Sequence, residues 1–107
     1  MSEIDKIHHL APKTLETYRN EYARGAKIFK EALDEYSKTD EYHKKEQLKK
    51  AMEESLDAMN KLANYVLRDM KMADKLSSDY QNLAQKDSND AIKQLNRDID
   101  SIQKYIS

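Results

Sequence analysis

Apolar side chains recur every three or four positions along most of the chain, the repeat of helices joined along a seam. The first stripe is Leu15, Tyr18, Tyr22, Gly25, Phe29, Ala32 and Tyr36, widened by Ala26 and Leu33. It predicts helix one over residues 12–37, opening at Pro12, a residue favoured in the first turn. Residues 1–11 form an N-terminal segment, in which Ile4, Ile7 and Leu10 predict a short extra turn. The stripe stops at Ser37-Lys38-Thr39-Asp40, where Thr39 suits an N-cap and Asp40 and Glu41 suit the positive end of the next helix.

A second stripe runs through Leu48, Met52, Ser55/Leu56, Met59, Leu62, Val66, Asp69/Met70, Ala73, Leu76, Tyr80 and Leu83. Ser77-Ser78-Asp79 is its weakest point, but the periodicity passes through without a change of phase. It therefore predicts one helix over residues 40–86, spanning ~70 Å at 1.5 Å per residue. Asp87-Ser88-Asn89-Asp90 is a second stop, rich in capping residues. Helix three follows over 89–106 on Ile92, Leu95, Ile99, Ile102 and Ile106.

The expected fold is thus all-α. One long central helix is flanked by two shorter antiparallel ones in a coiled-coil-like bundle, and residues 1–107 form a single helical domain. A break in the long helix would make the bundle more compact. One Gly and one Pro, with neither present from Ala26 to Ser107, leave little turn chemistry for a sheet. Gly25 lies on the seam, where a glycine weakens a helix by ~1 kcal/mol, so its expected use is close approach of another helix backbone.

Polarity tests this picture. Charged residues make up 36% and mean hydropathy is −1.03, values that approach those of disordered chains. The net charge is only −1, however, and the apolar positions are periodic, so the chain is expected to fold around a thin core. A thin core suits stability shared with a partner protein or a second copy. Residues 38–50, with five basic and three acidic side chains, are the most basic stretch, too weak to hold a nucleic-acid backbone by charge. No apolar run approaches the ~18 residues of a membrane span, and Met1–Leu10 has no signal-peptide pattern. With no cysteine to form disulfides or thiolate sites, the expected setting is the cytoplasm.

Catalytic and metal chemistry find little support. Asp5-x-x-His8 and Asp40-x-x-His43 each place a carboxylate and an imidazole on one helical face, but the inward glutamates that complete a di-iron bundle site are missing from the stripes. Adjacent His8 and His9 do not have zinc spacing. A single glycine rules out a nucleophile elbow or phosphate loop, and Glu53-Glu54 fall on a polar face. Lys44-Lys45 and Lys49-Lys50 are expected on a solvated face, as Glu41–Lys45 and Glu46–Lys50 ion pairs. No metal, no cofactor and no catalytic residue is expected.

The strongest functional signal lies in the middle of the long helix. Leu62, Ala63, Tyr65, Val66, Leu67, Met70, Met72 and Ala73 surround it on most sides, more apolar surface than its own chain is expected to cover. Tyr65, Leu67, Met70 and Met72 are the expected anchors for a partner, whereas Tyr18, Tyr22 and Tyr36 on the first stripe are expected in the core. In size, polarity and lack of Gly and Cys the chain resembles small helical co-chaperones and needle subunits of bacterial secretion systems. Asp87-Ser88-Asn89-Asp90 between two amphipathic helices is similar to the turn of needle subunits, without their prolines. The expected function is a non-enzymatic chaperone, adaptor or regulator that binds a helical segment of another protein. The alternative is a subunit that assembles with itself.

Overall fold

The computed structural model describes residues 15–106, which form four helices. We number them α1 (Leu15–Lys38), α2 (Tyr42–Val66), α3 (Lys71–Gln85) and α4 (Asn89–Ile106). The extra turn expected around Ile4, Ile7 and Leu10 lies outside the described residues, as do His8 and His9.

The N-terminal stripe meets the second stripe as an antiparallel hairpin. Tyr18 at the start of α1 stacks on Tyr65 at the end of α2, and Tyr36 at the end of α1 lies under Lys45 at the start of α2. Between them Gly25 permits the close approach its position implied. A Cβ there would lie 2.8 Å from Met59 Cγ and 3.7 Å from the Ser55 carbonyl oxygen. Ser55 faces it as a small buried residue whose hydroxyl donates back to the Ala51 and Met52 carbonyls, at 3.0 and 3.1 Å.

The single long helix is not formed. Its second half folds back as α3, and the longest dimension of the molecule, 44 Å, could not hold ~70 Å of helix. The break falls at Leu67–Met70 rather than at Ser77-Ser78-Asp79, which lies within α3. Leu67 turns extended (φ −106°, ψ 120°) while its N–H still bonds the Ala63 carbonyl at 2.9 Å. Asp69 Oδ1 then accepts the Lys71 N–H at 2.9 Å and opens α3. This corner explains the surplus of apolar residues. Val66 and Leu67 are adjacent, so on one helix they would point about 100° apart, yet the turn buries both.

α3 and α4 form a second antiparallel hairpin. Ser88 caps α4 by accepting the Ala91 N–H at 3.2 Å, as the stop signal implied. At the head of α2 the capping differs from expectation. Thr39 Oγ1 accepts the Glu41 N–H at 3.3 Å, and the helix begins only at Tyr42. α4 packs on both α3 and α1, while α3 touches α2 only lightly. One continuous core links all four helices, built on Tyr22, Phe29, Leu33, Met52, Met59, Leu62, Leu76, Leu83, Leu95 and Ile99.

Several polar junctions tie the hairpins together, among them the Lys30–Asp100 ion pair between α1 and α4 and the Asn60–Ser77 hydrogen bond between α2 and α3. The Tyr80 hydroxyl donates toward the Lys49 carbonyl and Glu53 Oε1, both at 3.1 Å, and its ring meets Phe29 edge-on. Lys45 sits 4.9 Å above the Tyr36 ring and pairs with Asp87, in the α3–α4 loop, at 3.0 Å. The lysines at the head of α2 are therefore partly structural. Lys45–Asp87 and Lys49–Glu46 form in place of the Glu41–Lys45 and Glu46–Lys50 pairs expected from spacing.

Candidate protein-binding cleft

Leu15 and Tyr18 open the stripe of α1, but at that level α2 is ending and the chain is turning its corner. The seam there is incompletely covered. The result is a cleft of about 730 Å³ lined by the start of α1, the end of α2, the corner and the end of α4. Among the described residues six large apolar side chains are exposed, and four of them line this one cleft: Leu15 (47%), Tyr65 (45%), Met70 (37%) and Tyr105 (43%). Exposed apolar side chains scattered singly carry no message, whereas clustering of this kind makes the cleft the candidate site of the molecule.

Tyr65 is positioned by its stack on Tyr18, with ring centroids 4.4 Å apart and planes 12° apart. The stack favours one orientation of the ring at the mouth, and such pre-orientation lowers the entropy lost on binding. Met70 stands at the corner, where its flexible thioether can adapt to different shapes. The remaining lining is Asn64, Val66 and Leu67 with the two arginines Arg19 and Arg68.

The four anchors expected from sequence separate here. Tyr65 and Met70 face the cleft as exposed side chains. Leu67 borders it but is only 4% exposed and belongs to the core, where it plugs the corner. Met72 lies elsewhere, half-buried beside Lys75, Arg97 and Ile102 between α3 and α4. Leu15, Tyr105, Arg19 and Arg68 were not anticipated. Tyr105 had a readable signal, as a large aromatic one position off the clean stripe of α4. The arginines had none, because only the corner brings Arg68 to the same cleft as Arg19.

The other charged constellation lies between α3 and α4. Lys75 bridges Asp79 at 2.8 Å and Asp98 at 3.1 Å, and Gln94 donates to Asp98 at 3.1 Å. Asp98 is buried beside Leu95 and Ile102. Burial, then the facing Asp79 carboxyl, pushes its pKa up, while Asp79 is held down by its bond to Asp98 and by Lys75. Burial also raises the Tyr22 hydroxyl to about 12. These groups lie within the helix packing rather than in the cleft. Among the described residues, no three His, Cys, Asp or Glu side chains converge as a metal site would require. Asp40 and His43 are exposed, the His43 ring lying edge-on to Tyr42. Among the described residues no helix is long and apolar enough to cross a membrane.

Comparison of the chain with family models, curated proteins and solved structures gives no match.

Proposed function

We propose that this protein is a non-enzymatic interaction module, acting as an adaptor, chaperone or regulator, whose cleft between the start of α1, the α2–α3 corner and the end of α4 takes a helical segment of another protein. The observation that carries this reading is the gathering of four of the six exposed large apolar side chains into that cleft. An amphipathic helix lays its apolar face into such a depression, with an aromatic and a methionine as anchors. The corner supplies the depression, because it ends α2 before the α1 seam is fully covered.

A photo-crosslinking side chain placed at Met70, compared with one at Tyr42 on the far side of the hairpin, tests the site. Adducts with a defined protein at Met70 and none at Tyr42 are expected. Equal labelling at both positions removes the cleft from consideration.

Self-assembly is favoured by a separate feature. A groove of about 330 Å³ runs between α1 and α2 over Gly25, Ala51, Ser55 and Ala58, with exposed Ile28 beside it and Glu21, Arg24 and Glu54 on its rim. A patch that carries both a small-residue floor and an apolar knob suits a two-fold contact with its own copy. Sedimentation distinguishes the readings. A monomer over a wide concentration range disfavours self-assembly, and a dimer lost in Ile28→Glu supports it.

A further inference from the structure

We infer that the segment taken up by the cleft is acidic, with aspartate or glutamate flanking its large apolar side chains. This rests on the cleft reading and adds the chemistry of the occupant. The chain as a whole is nearly balanced, with 19 basic and 20 acidic side chains. Yet none of the described residues lining the cleft is acidic, and two are arginines. The other depressions have mixed linings. Glu21, Arg24 and Glu54 rim the α1–α2 groove, while Asp79, Asp90 and Lys86 surround the one beside the α3–α4 loop.

Arg19 and Arg68 arrive from different elements, one on α1 and one at the corner, and both are exposed. Among the described residues neither enters an ion pair, whereas Lys30, Lys38, Lys45, Lys49, Lys61 and Lys75 each face a carboxylate within 4 Å. Asp69, the nearest acid in sequence to Arg68, is engaged on the Lys71 N–H at the head of α3. Two guanidinium groups beside an aromatic and a thioether thus present the complement of an acidic, apolar segment. A nucleic acid fits less well, because two arginines and a net charge of −1 give little hold on a phosphate backbone.

The test uses the full chain and synthetic amphipathic peptides of about 16 residues, long enough to turn helical on binding. All carry Leu and Phe on one face, with Glu, Gln or Lys on the other. Fluorescence anisotropy is expected to rank Glu above Gln above Lys, with roughly tenfold between Glu and Gln at low salt, as two exposed charge pairs would give. The gap should shrink as salt rises from about 0.1 to 1 M and the screening length falls from about 10 to 3 Å. Arg19→Ser/Arg68→Ser should bring the Glu peptide to the level of the Gln peptide. Met70→Ser/Tyr65→Ser should weaken all three. Equal binding of Glu and Gln peptides overturns the acidic preference and leaves the cleft reading standing. Failure of every peptide to bind overturns both. Preferential binding of an oligothymidylate, or self-association abolished by the arginine substitutions without peptide binding, replaces the acidic segment with a nucleic acid or a second copy and overturns the inference.

Discussion

Gly25 and Asp98 show two ways in which a single residue departs from what its helix would prefer. An alanine at position 25 would gain about 1 kcal/mol of helix propensity. It would also place a Cβ 2.8 Å from the middle of the fully buried Met59 side chain, and overpacking of that kind costs about 1–3 kcal/mol. Gly25→Ala is therefore expected to destabilise by about 1 kcal/mol in urea unfolding. The loss should be non-additive with Met59→Ala, which removes the colliding atom. At Asp98 the folded state raises the carboxyl pKa above its ordinary 3.8, so folding favours the protonated form. The contribution of Asp98 to stability thus falls as pH rises from 3.8 through the raised value, and stays low above it. Asp87, held down mainly by its bond to Lys45 against the opposing effect of burial, works in the other direction. Its stabilisation is present above 3.8 and is lost as pH falls through its lowered value. Asp98→Asn should consequently be neutral or stabilising at pH 7, and the melting-temperature difference from the parent should grow in its favour as pH rises from 3.8 through the raised carboxyl value. A large loss at neutral pH would contradict this.

Among the elements, the α2–α3 corner separates what the sequence reveals from what it conceals. The existence and interior faces of the helices were readable, because the stripes that define them, such as Leu95, Ile99 and Ile102, are the buried residues themselves. The corner was not, for a geometric reason. Val66 and Ala73 are both buried and stand seven positions apart, the distance a continuous helix would also use. A four-residue turn that preserves this spacing leaves no mark on the periodicity, and Leu67–Met70 contains neither Gly nor Pro. The overlooked signal was Asp69, a capping residue standing on the apolar stripe. The cleft was half legible for the same reason. Tyr65 and Met70 emerge from the apolar surplus, but Leu67 is spent on plugging the turn, and Arg19 and Arg68 meet only once the turn exists. Asp69→Ala should cost about 1 kcal/mol as a lost cap. Amide exchange at Lys71, whose N–H it binds, should accelerate more than at Leu83 in the middle of the core.

At the level of the whole molecule, two hairpins are joined by a core and by a few polar ties. Tyr80 is the tie with the most to lose, since its buried hydroxyl reaches across to the Lys49 carbonyl and Glu53. Tyr80→Phe removes both bonds while keeping the ring, and should lower stability by about 1 kcal/mol in denaturant. The light contact between α3 and α2 should make the second hairpin the first to open in hydrogen exchange. The in-phase corner gives this arrangement a topological twin. Were Leu67–Met70 to wind into helix, the same apolar faces would still line up, but the far hairpin would be carried away from its own α1–α2 and could close on that of a neighbouring molecule. A single folded copy and a hairpin-for-hairpin exchanged pair would then share nearly every interior contact, differing chiefly at four residues, so the state adopted would depend on concentration and on Asp69.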